Sequence, residues 1–202
     1  MSGIYALKPW FVTRLRSLED ILVARRVSPN ALTFSAVATS ALAGAVLVAG
    51  EGAPMLWLAI LPLGIVRLAL NALDGSVARR TNRATGLGTA LNEIGDRACD
   101  LVLFAPLVAL CPPWLVVTAL ALMTLTSTAG VIAQAVTGRR DTHGPMGKAD
   151  RVLLLGLAAL IAASTGSTGP FVAALVVVVA GCVITTVSRV ARLSKEHDDV
   201  RQ

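Results

Sequence analysis

Two stretches of this 202-residue chain place polar side chains at spacings that could do chemistry. The first is Arg67-Leu-Ala-Leu-Asn71-Ala-Leu-Asp74-Gly75-Ser-Val-Ala78-Arg79, and the second is Gly88-Thr-Ala-Leu-Asn92-Glu93-Ile-Gly-Asp96-Arg97-Ala-Cys-Asp100. Arg67, Asn71 and Asp74 fall at i, i+4 and i+7, which puts them on one face if the segment is helical. Asn92, Asp96 and Asp100 recur every four residues, and Glu93 lies within the same arc when each residue turns the helix by about 100°. Two such helices facing each other would converge carboxylates and amides, an oxygen-only donor set that suits a hard divalent cation such as Mg2+ or Mn2+. With no Cys or His clustered among these donors, zinc or copper is a poor fit. Arg67, Arg79 and Arg97 leave a second arrangement open, in which the acids are neutralised as ion pairs inside a transporter or a structural bundle. Gly75, Ala78 and Gly88 are small enough to let a ligand approach the backbone, and Arg79 could hold its phosphate.

The elements that must position these residues are membrane helices. Only 15% of the residues are charged and 55% are hydrophobic, with mean hydropathy +0.73, far from the roughly 25% charged of a soluble domain. Runs of roughly 20 apolar residues mark transmembrane helices. They predict six spans at Ala31–Gly50, Pro54–Leu73, Gly88–Leu110, Trp114–Thr137, Val152–Thr165 and Pro170–Val190. The expectation is an all-α polytopic membrane protein with a single domain over 1–202. It divides into a surface segment 1–30, a six-helix bundle 31–194 and a tail 195–202.

Loop charge orients the bundle. Lys and Arg concentrate before the first span, between Arg67 and Arg97, from Arg139 to Arg151, and after Arg189, whereas the opposite loops hold only Glu51. The positive-inside rule therefore places both termini and the polar cluster in the cytoplasm, in a cell (inner) membrane. The sequence pI of about 10.0 reflects this topology and favours anionic membrane lipid. Without a basic patch interleaved with aromatics, nucleic acid is not an expected partner. Leu7, Phe11, Leu15, Leu18 and Leu22 recur at helical spacing, with Lys8, Arg16, Glu19 and Asp20 on other faces. This predicts an N-terminal amphipathic interfacial helix, the alternative being a cytoplasmic helix packed on the bundle. Cys99, Cys111 and Cys182 are scattered through apolar surroundings and read as buried free thiols.

The polar cluster resembles the signature of the CDP-alcohol phosphatidyltransferase family, D-x2-D-G-x2-A-R-x8-G-x3-D-x3-D. Every spacing is kept, and the departures are Asn71 and Asn92, each standing where the family has an aspartate. Pro29-Asn30 before the first span and Gly147-Lys148 before the fifth also look like family features, so the resemblance covers most of the chain. It implies a membrane enzyme, commonly a homodimer, that transfers a substituted phosphate from a CDP-linked donor to an alcohol and releases CMP. Carried over by position, Asp74 is a metal ligand and Asp96 the general base and a further ligand. Gly75, Ala78, Arg79 and Gly88 contact the CDP moiety, and Asn71 and Asn92 occupy ligand positions.

Asparagine can ligate through its amide oxygen but brings no charge, so metal affinity should fall unless Glu93 and Asp100 restore the missing charges. Lys148 and Arg151, where the fifth span enters the bundle, are candidate acceptor-binding groups. Arg139 and Arg140 read as ordinary cytoplasmic charge, and His143 as a loop histidine outside the chemistry. The substrates this implies are CDP-diacylglycerol and a small alcohol acceptor, glycerol 3-phosphate first and an inositol phosphate next.

Overall fold

A computed structural model describes residues 15–138 and 141–200, and every regular element among them is helical. A short helix α1 (Arg16–Ala24) precedes six longer ones: α2 (Pro29–Ala49), α3 (Ile60–Arg80), α4 (Gly86–Phe104), α5 (Pro113–Thr137), α6 (Lys148–Thr165) and α7 (Gly169–Val200). Short 3-10 helices at Pro54–Ala59 and Ala105–Ala109 lead into α3 and follow α4. The chain is thus an all-α polytopic membrane protein.

The helix ends follow from local chemistry. Proline sits in the first turn of α2 and of α5, where a missing N–H costs nothing. Left-handed glycines close α5 at Gly138 (φ 72°) and α6 at Gly166 (φ 66°), a conformation that a side chain would strain. Thr85 caps α4, its Oγ1 accepting from Gly88 N at 3.0 Å. Asp150 caps the start of α6, its Oδ2 accepting from Gly147 N at 2.8 Å.

Helix α2 packs against both α3 and α4, α5 packs against α7, and α6 joins the two groups by lying against α3 and α7. Their shared core includes Leu47, Trp57, Leu107, Met123, Leu155 and Phe171. Trp57 meets Phe171 edge to face with ring centroids 5.1 Å apart, and its indole N–H donates to Leu47 O at 2.9 Å. Phe34, Leu125, Ile161 and Val187 point outward, as lipid-facing side chains of a membrane bundle do. Cys99, Cys111 and Cys182 are free and buried, as their apolar surroundings suggested.

Among the described residues, four stretches are long and apolar enough to cross a membrane: Pro29–Ala49, Pro54–Arg80, Pro113–Thr137 and Gly169–Ser194. The other two of the six longer helices are richer in charge near the site. Helix α4 holds Glu93, Asp96, Arg97 and Asp100, and α6 begins with Lys148, Asp150 and Arg151. The second and fifth spans extend beyond their apolar runs, because α3 continues to Arg80 and α6 starts at Lys148. Helix α7 runs on to Val200, so most of the segment read as a tail continues the last helix.

Of the amphipathic N-terminal pattern, Leu7 and Phe11 lie outside the described residues, as do Arg139 and Arg140. In α1, Leu22 and Val23 pack with Leu15 and Val27 onto Leu32, Leu73 and Val77 at the end of the bundle. Leu18 and Ile21 remain exposed. This helix therefore docks on the bundle by one side and presents apolar residues on the other.

Candidate active site

Helices α3 and α4 bring the two polar stretches together, α2 supplies one hydroxyl, and the start of α6 closes the fourth side. Asp74 is buried (2% exposed). Its Oδ2 accepts from Thr33 Oγ1 of α2 at 2.8 Å, and its Oδ1 from Gly75 N at 2.5 Å. Thr33 carried no signal in the sequence, since a lone threonine in an apolar helix usually bonds back to its own turn. Its hydroxyl does lie 3.4 Å from Pro29 O as well. Room for it comes from Gly95, where an added Cβ would come within 2.5 Å of the Thr33 methyl.

Asp96 is 7% exposed. One of its oxygens, Oδ1, takes both local donors: Asn71 Nδ2 at 2.9 Å and Lys148 Nζ at 2.5 Å. Asp96 and Lys148 both act electrostatically on Asp74, so the two acids and the ammonium form one group. Asn92 Oδ1 is buried without a hydrogen-bond partner among the described residues. A buried acceptor left alone is costly, and a cation would satisfy it.

Glu93 and Asp100 face different company. The Arg97 guanidinium bonds Glu93 Oε2 at 2.7 Å and its backbone carbonyl at 2.9 Å. Asp100 lies between Arg67, which bonds its Oδ1, and Arg151, whose Nη1 is 3.3 Å from Oδ2. Arg67 is fully buried. Two acids proposed from sequence to restore metal charge are therefore matched by arginines. No cluster of three or more His, Cys, Asp or Glu that could hold a metal occurs among the described residues, because Asn71 and Asn92 reduce the signature's carboxylates to Asp74 and Asp96. With the orphaned oxygen of Asn92, those two acids make a hard-oxygen donor set that fits a divalent ion.

The positions that the family resemblance assigns to the CDP moiety lie towards the end of α3 and the start of α4. Arg79 is exposed, and its guanidinium has no hydrogen-bond or ion-pair partner among the described residues. Its guanidinium lies over Gly75, where an added Cβ would sit 3.3 Å from Arg79 Nη1. Ala78 is partly buried one turn further along α3, and Gly88 lies in the first turn of α4. On the far side of α3, Ser76 Oγ donates to Glu19 Oε1 at 2.5 Å and Arg80 pairs with Asp20 at 2.6 Å. These contacts anchor α1 to the signature helix, and they were invisible to a reading of the motif alone.

From Asp96 a polar cavity opens between α4, α5, α6 and α7. Asp100, Ser127, Lys148 and Arg151 line it, joined by Arg97, Asp141, Thr142, Gly147 and Arg189. Arg151 bridges the helices, bonding Met123 O at 3.2 Å and Ser127 Oγ at 3.3 Å as well as Asp100. Arg189 bonds Thr126 O at 2.6 Å and His143 O at 2.9 Å. Ser127 and Arg189 carried no signal in the sequence because they come from separate helices with no common spacing, whereas Asp141 and Thr142 belong to the charged segment that leads into α6. The His143 ring is partly exposed and lies 3.5 Å from Asp141.

The profile of the CDP-alcohol phosphatidyltransferase family matches residues 26–187. The chain belongs to this family. A CDP-alcohol phosphatidyltransferase is a transferase, and the site just described occupies the family's signature positions. The inner membrane protein YnbA of Escherichia coli (strain K12) is 39% identical over 156 residues, covering 76% of this chain and 77% of that protein. The fold is similar to that of the phosphatidylinositol phosphate synthase PgsA1 of Mycobacterium tuberculosis. The structure of that protein with CDP-DAG bound aligns with TM-score 0.67 and 19% identity, over 88% of this chain and 92% of that one. The same enzyme in complex with manganese and citrate aligns with TM-score 0.67, over 88% and 87% of the two chains.

Proposed function

We infer that this phosphatidyltransferase uses CDP-diacylglycerol as donor and a small alcohol phosphate as acceptor, releasing CMP in phospholipid synthesis at the cytoplasmic face of the inner membrane. The observation that carries the reading is the position of Asp96. It belongs to the donor signature, through Asn71 and its neighbour Asp74, and it also lines the cavity of Lys148 and Arg151. A base shared between the two compartments is what transfer to a hydroxyl requires.

On this reading Arg79, over Gly75, binds the donor phosphates, with Ala78 and Gly88 admitting the cytidine side. The diacylglycerol chains stay in lipid. The acceptor hydroxyl oxygen forms a bond to the phosphorus that carries diacylglycerol, and the bond from that phosphorus to the bridging oxygen breaks. CMP leaves with that oxygen, and the hydroxyl proton passes to Asp96. A divalent ion, Mg2+ or Mn2+, held by Asp74, Asp96 and Asn92 would neutralise the diphosphate and polarise the attacked phosphorus. Opposite, four basic side chains line the cavity with three acids, Asp96, Asp100 and Asp141. This balance suits an acceptor bearing both hydroxyls and a phosphate, with glycerol 3-phosphate the first choice and an inositol phosphate the second.

Six crossings place both termini and the site on the cytoplasmic side. The loop charges support this. The family resemblance further supports a homodimer as the working unit in lipid. The test is CMP release by the purified full-length protein given CDP-diacylglycerol, Mn2+ or Mg2+ and a panel of acceptors. Release only with an alcohol phosphate supports the reading. Turnover with unphosphorylated alcohols alone would overturn the acceptor assignment, and neither CMP release nor CDP binding would overturn the donor assignment.

A further inference from the structure

The contacts of Asp96 bear on how many cations the site uses. An aspartate at position 71 would repel Asp96 and need a metal between the two; Asn71 instead donates its amide N–H to Asp96 Oδ1 at 2.9 Å. Lys148 Nζ reaches the same oxygen at 2.5 Å. That oxygen therefore already has two protein donors, one of them cationic, and Asp96 Oδ2 is left for substrate or metal. On the other side, Asp74 and the unpartnered Asn92 Oδ1 remain as acceptors.

We propose that the site works with one divalent cation, and that the Lys148 ammonium, fixed on Asp96 beside the Asn71 amide, supplies the second positive centre. This rests on the donor reading above. Two divalent ions in a shared site sit about 3.5–4 Å apart, and their mutual repulsion calls for several carboxylates between them. Asp74 and Asp96 are the two that are free of arginine, since Glu93 and Asp100 are paired with Arg97, Arg67 and Arg151. One divalent ion plus Lys148 exceeds the charge of these two acids by a single unit, which the anionic diphosphate offsets. A second ion would raise that excess to three units and would need carboxylate ligands of its own, whereas Asp96 Oδ1 is already taken by two protein donors and the neighbouring acids are held by arginine. Asn71 is on this account a positioning residue for Asp96, and Lys148 acts at the reacting phosphate as well as at the cavity wall.

The experiment is Mn2+ titration of the purified full-length protein in detergent with CDP present, read by calorimetry and by electron paramagnetic resonance. The wild type is expected to bind one Mn2+ per chain with an uncoupled spectrum. The double variant Asn71→Asp with Lys148→Gln is expected to bind two, with the broadened spectrum of a coupled pair. Lys148→Gln alone should tighten the single Mn2+ about tenfold, through ~1.4 kcal/mol of lost like-charge repulsion. Two Mn2+ in the wild type, or a single Mn2+ in the double variant that still binds CDP, would overturn the proposal while leaving donor binding intact. Loss of CDP binding in the wild type would overturn both. If the double variant does not fold, the wild-type stoichiometry and the Lys148→Gln shift decide.

Discussion

Asp96 and Asp100 are the same residue type, one turn apart on one helix, and they have opposite situations. Asp100 is clamped by the buried guanidiniums of Arg67 and Arg151, so both of its oxygens are committed to holding α3, α4 and α6 together. Asp96 meets an amide and a flexible, partly exposed lysine on one oxygen and faces both the signature and the cavity. An acid pinned by two rigid forks is a structural group. An acid with an uncommitted oxygen, placed between the signature residues and the polar cavity, can accept a proton.

The largest expected effect separates the two directly. Asp96→Asn should lower turnover by about 10²–10⁴-fold while CDP binding and thermal stability stay near wild type; retained turnover would remove Asp96 from the chemistry. Asp100→Asn should act through folding, because it strands Arg67 and Arg151 in the bundle at a cost of about 3–5 kcal/mol. The check is the melting temperature and the yield of folded protein in detergent, and a fully stable but inactive Asp100→Asn would reverse the comparison.

Smaller effects sharpen it. Thr33→Val removes the buried hydrogen bond to Asp74 and should cost about 1 kcal/mol, seen as a raised Mn2+ requirement with little change in acceptor KM. An equal loss of stability without any metal effect would make Thr33 a packing residue only. Glu93→Gln is the smallest. A single surface-type ion pair is worth about 0–1 kcal/mol, and Arg97 already accounts for the Glu93 carboxylate. The metal requirement should therefore move less than for Thr33→Val. A larger movement would return Glu93 to the metal site.

The sequence left two arrangements open for the acids, cation binding or pairing with arginine, and the structure divides them residue by residue. Arg67 and Arg97 pair with Asp100 and Glu93. Asp74, Asp96 and Arg79 stay out of such pairs with one another. Helical spacing could not make this division. It reports which residues share a face, whereas pairing depends on the depth and rotation of the neighbouring helix.

By itself the sequence determined the class of molecule, the order of its helices and the family. Hydropathy, loop charge and motif spacing are local properties of the chain, and the signature's residues are separated by whole helical turns. Only the tertiary structure decided what sits around each acid. Thr33 on α2, Ser127 on α5, Lys148 and Arg151 on α6 and Arg189 on α7 come to the site through helix packing, which no spacing within α3 or α4 encodes. It also decided that the charge of α4 is distributed unequally, with Asp100 and Glu93 matched by arginines inside the fold and Asp96 met by an amide and a lysine. The physical reason is that the environment of a charge in a membrane bundle is set by the few side chains within hydrogen-bond reach, and those belong to other helices.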